Sequence, residues 1–306
     1  MQRYLIIRTA QALLSLWVVT IIVFGLSRVS GDPTDIFVSI DASPADVERV
    51  RVRWGLDKPL WAQYGVFIGN ALKGDLGVSL KFPGTGAADL VMQRFPATLQ
   101  LAGISTAISL LIALPIGVLS AVKKGTVFDW LGKTLALGGQ SIPSFWLGII
   151  LMWFFAVQMG WLPTSGKGGP KHILLPAITM GWFQTAAIMR LLRSSMLEVL
   201  DTEYVKLARI KGLSERWVIW KHCFRNAAMT PLTYFGIILA GTLTGSVTTE
   251  AVFNWPGTGL LAFQAVLSRD VQLIQALVLV FAGIFIVLTL VVDVLYAYLD
   301  PRIRYN

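Results

Sequence analysis

Residues able to do covalent or metal chemistry are sparse in this chain. Cys223 is the only cysteine, and His172 and His222 fall in different loops, so there is neither a disulfide framework nor a Cys/His cluster for a transition metal. Neither histidine lies within an apolar run, which leaves no buried base to activate a nucleophile for intramembrane hydrolysis. No Gly-x-x-x-x-Gly-Lys-Ser/Thr loop occurs, and Gly166-Lys-Gly-Gly-Pro-Lys171 lacks the spacing and the strand-to-helix setting that cradle phosphates. What remains is a stretch suited to mechanical work, Tyr204-Val-Lys-Leu-Ala-Arg-Ile-Lys-Gly212. Tyr204, Leu207 and Ala208 share one helical face at spacings of three and four, Lys206, Arg209 and Lys211 keep the rest in water, and Gly212 can end the helix in a left-handed conformation. A small side chain and a terminal glycine let another protein's surface come close.

The elements that must position this stretch are membrane spans. Of 306 residues 55% are hydrophobic and 14% charged, well below the 25% or so usual in soluble domains. The net charge of +9 comes from cations scattered among apolar runs, with no basic face carrying interleaved aromatics, and this speaks against nucleic acid as a partner. A helix needs about 20 apolar residues to cross a bilayer. Six stretches meet this, at about 9–28, 98–122, 132–157, 173–191, 230–251 and 273–298, and the first reads as a retained span rather than a cleaved signal. The expected architecture is all-α and integral to the membrane: residues 1–28 hold the amino terminus and first span, 29–97 an outer segment, and 98–306 a core with five spans and the loop 192–229. Cations concentrate at the amino terminus, in 123–131, in 192–229 and at the tail, whereas the short loops of the other face hold only Lys167, Lys171 and Arg269. By the positive-inside rule both termini and the amphipathic stretch are cytoplasmic. The outer segment, with seven basic and eight acidic residues, should hold one helix from Ser43-Pro44 to about Trp54 and another from Pro59 to Leu72.

Polar residues inside the spans mark either a solute path or links between helices. Gln140, Ser141 and Ser144 lie in the third span, and Thr242, Thr244, Ser246, Thr248 and Thr249 in the fifth. Glu250 stands near the outer end of the fifth span, where it could meet a cationic solute group or cap the following loop. Asp293, within two turns of the cytoplasmic end, has Arg302 or Arg304 as expected partners. Pro115, Pro143, Pro176 and Pro231 sit within or at the ends of spans and can bend them.

Several motifs converge. Glu203 to Glu215, followed by His222-x-x-Arg225-Asn226-Ala227, resembles the coupling-loop signature of importer-type ABC permeases, in the form used by the peptide and nickel branch. Further matches run in order along the chain: Gly31-Asp32-Pro33; Gly74-Asp75-Leu76-Gly77-x-Ser79; Pro96-Ala97-Thr98-Leu99; Ser141 to Gly148; Glu250-x-x-Phe253-x-Trp255-Pro256-Gly257-x-Gly259; Arg269-Asp270; and Asp300-Pro301-Arg302. The broad pattern begins Glu-Ala-Ala and ends in a Leu-Pro pair, where this chain has Lys206, Leu207 and Ala208 with Arg225 and Asn226 downstream.

The resemblance implies the six-span type I importer permease fold in a bacterial inner membrane. It implies an assembly with a homologous second permease (a heterodimer), two cytosolic ATPases and an extracytoplasmic solute-binding protein. No cofactor is expected on this chain, with ATP and Mg held by the ATPase subunits, and no catalytic or metal-binding residue. Glu203, Tyr204, Val205, Ala208, Gly212 and Leu213 would couple to the ATPases. Gln140, Ser141, Ser144, Thr244 and Thr248 are candidates for the path, and Glu250, Phe253, Trp255, Pro256 and Gly257 for an outer gate. Short peptides, nickel chelates, opines, glutathione and oligosaccharides are the solutes of this branch. The competing classes are an ion-coupled secondary transporter, which calls for mid-membrane carboxylates and an inverted repeat, and a membrane scaffold, which leaves the amphipathic stretch unexplained.

Overall fold

The computed structural model describes residues 2–29, 52, 57–243 and 247–299. The expected helix over 44–54, the Gly31-Asp32-Pro33 motif, Thr244, Ser246 and the tail bearing Arg302 and Arg304 lie outside the described residues. Among the described residues the principal helices are α1 (Gln2–Val29), α2 (Leu60–Leu72), α3 (Ala87–Val122), α4 (Val127–Ser141), α5 (Ser144–Leu151), α6 (Lys171–Leu200), α7 (Glu203–Ile210), α8 (Met229–Leu243), α9 (Val247–Val252), α10 (Thr258–Leu267) and α11 (Val271–Leu299), with a further helical run at 215–227 whose middle, Val218–Phe224, is π-helical. Among the described residues the only extended pairing is an isolated bridge between Val78 and Gly86.

Four helices, α1, α3, α6 and α11, are long and apolar enough to cross a bilayer, and α4 with α5 makes a fifth if the pair counts as one span. That pair departs from the straight span expected over 132–157. It bends by 107° between Ser141 and Ser144. The cause is local: Pro143 has no amide to donate, and the residue before a proline avoids helical angles, so Ile142 sits at φ −90°, ψ 121° and the helix restarts after Pro143. α5 then widens into a π-helical stretch, Met152–Gln158. The expected fifth span corresponds to α8, which at 15 residues is shorter than a full crossing, and then α9.

The chain divides into two compact units, residues 1–96 with 261–306, and residues 97–260. In the first, Phe24 of α1 meets the rings of Tyr64 and Phe67 on α2 at 5.4 and 5.6 Å, and the Thr20 and Tyr64 hydroxyls lie 2.8 Å apart. Asp293 of α11 pairs with Arg8 of α1 at 3.4 Å, a partner far back in the chain that the sequence did not suggest. Ala87, Leu90 and Val91 bury against Leu261, Ala265, Leu273, Ala276 and Leu277. Asp270 is fully buried and caps α11: one carboxylate oxygen accepts from the Leu273 amide at 3.0 Å, the other from the Ser79 hydroxyl (2.6 Å) and the amides of Leu80 (2.9 Å) and Lys81 (3.1 Å). That carboxylate holds a loop of the outer segment to a helix start about 190 residues away.

In the second unit α6 is the central element, buried along most of its length. Small residues let neighbours reach it: a Cβ at Gly139 of α4 would run into Ala186 of α6. The large exposed side chains of the molecule, such as Trp17, Leu111, Trp130 and Trp153, suit contact with lipid or another subunit.

Candidate coupling helix and outer plug

α7 follows α6 after a two-residue turn. Thr202 takes an extended conformation, its carbonyl accepts from the Val205 and Lys206 amides, and its hydroxyl donates to Val199 at 2.6 Å. The far end closes as the sequence suggested. Gly212 has φ +76°, its amide donates to Arg209 and the Leu213 amide donates to Ala208, which satisfies two orphan carbonyls of the last turn.

The face of α7 is divided differently from the expectation. Val205 and Ala208 point into the chain's own core, packing with Val118, Ala121, Leu192, Met196, Val218, Cys223 and Ala227. The smaller side chains therefore go inward, where α3 and α6 crowd the helix. Larger ones stay outside: Tyr204 is 42% exposed, Leu207 55%, Ile210 80% and Leu213 43%. Glu203 is also exposed and meets Lys206 at 2.8 Å. Asn226 donates to the Tyr204 hydroxyl at 3.0 Å, and Arg209 grips Glu215 through Nε at 2.8 Å, closing the turn after the helix. The helix thus has one face seated in the chain's own core and one apolar face left uncovered.

The seat has an ionic floor that sequence reasoning missed. Asp129 at the start of α4 is 1% exposed and accepts from Arg193 Nε of α6 (2.8 Å), the Ser120 hydroxyl of α3 (3.0 Å) and the Gly125 amide (3.0 Å), with Lys133 Nζ also at 3.0 Å. A signal was available: Asp129 is the only carboxylate between Asp89 and Glu198. Arg193 lies on α6, whose end connects to α7 through the turn at Asp201 and Thr202, so the cluster ties the helix that leads into α7 to α3 and α4. Cys223 is buried in the same seat, and burial pushes its thiol up from the ordinary range.

The loop after α9 is a packed plug. Phe253 and Trp255 are each 1% exposed; Trp255 Nε1 donates to the Ala97 carbonyl at 2.9 Å, and the Gly166 amide to the Phe253 carbonyl at 2.8 Å. Glu250 is fully buried, taking the Thr98 hydroxyl on one oxygen and the Leu260 amide on the other, both at 3.0 Å. Thr98 in turn accepts from the Thr258 amide at 2.8 Å. A Cβ at Gly257 would run into the Glu250 carboxylate, so only glycine lets Pro256 and Gly257 lie against it. Each carboxylate oxygen of Glu250 thus has a donor from the chain itself.

The candidate path residues are dispersed. Gln140 and Ser141 are exposed at the end of α4, Ser144 is half-buried at the start of α5, Thr248 is exposed on α9, and Thr244 lies outside the described residues. Thr242 accepts from Gln184 of α6 at 2.9 Å and so links two helices.

Residues 113–305 match the family described as binding-protein-dependent transport system inner membrane component, and residues 1–102 match its companion N-terminal family. The chain belongs to this family. Among its relatives are the glutathione transport system permease proteins GsiC of Escherichia coli (strain K12) and of Shigella dysenteriae serotype 1 (strain Sd197), each 39% identical over 307 residues and aligned over the whole of both chains. The fold is shared with an inward facing conformation of the MetNI methionine ABC transporter (TM-score 0.57, 18% identity, 69% of this chain and 96% of that one). It is shared also with an amino acid ABC transporter solved with histidines (TM-score 0.53, 16% identity, 70% and 94%). This family member is therefore a multi-pass inner-membrane permease subunit of a binding-protein-dependent ABC importer, a family that implies ATPase and binding-protein partners.

Proposed function

We propose that this permease forms half of a translocation pathway for short peptides, glutathione among them, and takes its driving force through α7. The observation that carries the coupling reading is the uncovered face of Tyr204, Leu207, Ile210 and Leu213 on a helix whose other face is locked into the core. In this reading Glu203, Tyr204, Gly212 and Leu213 touch a groove of a cytosolic ATPase, while Val205 and Ala208 act from behind, anchoring the helix so that nucleotide-driven closure moves α6 as a unit. ATP and Mg stay with two ATPase subunits, and this chain hydrolyses nothing itself. A homologous second permease completes a heterodimer, α8 with α9 supplies the sixth crossing, and both termini face the cytosol. The peptide assignment is supported by full-length similarity to proteins named as glutathione permeases.

Disulfide crosslinking from I210C to single-cysteine variants of the ATPase groove in the assembled complex tests the coupling. Crosslinks that change with nucleotide state support it. An intact complex in which position 210 never reaches an ATPase sinks it. Titrating the cognate binding protein with glutathione and with tripeptides tests the solute, independently of the helix.

A further inference from the structure

One guanidinium is used by none of this. Arg190 on α6 is exposed, and its only partner among the described residues is the Gln140 amide oxygen on α4, 2.9 Å from Nη1. Its neighbours Arg193 and Lys133, which also line the groove described next, share the single carboxylate of Asp129, so that trio keeps a net positive charge of its own and Arg190 adds another with no acid beside it. Arg190, Gln140 and Ser194 open onto a groove of about 420 Å³ between α4 and α6, floored by Gly132, Ala136 and Met189, with no carboxylate lining it. Ser194 lies one helical turn from Arg190 on the same side of α6, so guanidinium, hydroxyl and amide converge.

The groove lies beside the helix break. At Ser141 the helical ladder stops, and the 107° bend leaves carbonyls at the end of α4 without helical donors. Interrupted backbone at membrane depth persists only where protein covers it or a water-filled cavity adjoins it, and Gln140 and Ser141 are exposed in this chain. A cation within a membrane bundle likewise turns toward water or a partner of opposite charge. From the break, the unneutralised arginine and the groove together, we infer that Arg190, with Gln140 and Ser194, forms a water-filled station on the translocation path that receives a carboxylate of the solute. The fork of the guanidinium matches that group in two parallel hydrogen bonds. The inference rests on the importer reading and adds the part of the solute that is recognised: the free carboxylate of a short peptide.

The test uses the complete complex in proteoliposomes, with Cys223→Ser removing this chain's only native thiol and Q140C supplying a new one. Labelling of this chain by an anionic and a cationic methanethiosulfonate is compared, each rate normalised to that with a free thiol. The anionic reagent is expected to be favoured roughly tenfold, as positive potential in a cleft concentrates anions, and Arg190→Gln should abolish the preference while Arg190→Lys retains part of it. Labelling only by a lipid-soluble maleimide would place the groove against lipid, where a headgroup phosphate is the anion met, and overturn the inference. No labelling by any reagent would mean that the partner permease covers the groove, and overturn it equally. In a second arm, uptake of a tripeptide accepted by the binding protein should fall about tenfold in Arg190→Gln in complexes that still co-purify with all subunits; unchanged uptake would also overturn it. None of these failures touches crosslinking at α7, so this inference and the importer reading fail separately.

Discussion

α7 and the plug after α9 share a plan, a short helix followed by a glycine-bearing turn, and put it to opposite ends. In the plug the large side chains, Phe253 and Trp255, are inside, and the polar atoms of Glu250 and Thr98 find partners within the chain. In α7 the small side chains are inside and the large apolar ones outside. Apolar surface left in water costs free energy that a covering partner would recover. The plug closes on itself, whereas α7 leaves large apolar side chains uncovered.

The largest effects should come from the buried carboxylates that seat each element. Asp129→Ala strands Arg193 in a largely buried site and should cost about 3 to 5 kcal/mol, read as lost thermal stability of the purified complex. Glu250→Ala leaves the buried Leu260 amide unpaired and the Thr98 hydroxyl with only the Thr258 hydroxyl to donate to, and should cost about 2 to 3 kcal/mol, with Glu250→Gln milder. Equal, small effects of both changes would erase the contrast between seated and unseated surfaces. Ile210→Glu sharpens it in the other direction: stability should stay within about 0.5 kcal/mol, while capture of the ATPase weakens by about 2 kcal/mol, roughly 30-fold, measured by co-purification and uptake. Gly212→Ala places a side chain at φ +76° and should cost about 1 kcal/mol, with crosslinking at position 210 loosened. Smallest of all, burial raises the Cys223 thiol pKa, so fewer thiolates form at neutral pH, and alkylation should be slow and should accelerate only at pH values above the ordinary thiol range. Fast labelling at pH 7 would show the α7 seat to be open.

Much of this architecture was legible before any coordinates. Apolar length marked α1, α3, α6 and α11, Pro59 marked α2, and Gly212 marked the end of α7. The inward and outward faces of α7 were not, because Tyr204–Leu207 and Val205–Ala208 have the same helical spacing and only the crowding by Met196 and Leu192 decides between them. Pro143 was visible as a bend but not its size, since a proline kink depends on what the freed backbone meets. The Asp129 cluster joins α3, α4 and α6, and the Asp293 partner lies on α1; pairings at such separation leave no periodic trace in a sequence. For the plug, the motif Glu250 to Gly259 announced a turn, yet the donor that fixes its acid, Thr98, stands 152 residues away.

Asp270 reaches furthest in its effect, and its consequence concerns biogenesis. Ser79, Leu80 and Lys81, in the segment that the proposed topology places outside the membrane, obtain their carboxylate from the start of α11, 191 residues after Ser79. While the ribosome is still producing the intervening spans, that loop lacks this anchor. Nascent chains arrested before residue 270 should accordingly be cut by externally added protease near residue 80, and chains released after α11 has inserted should resist.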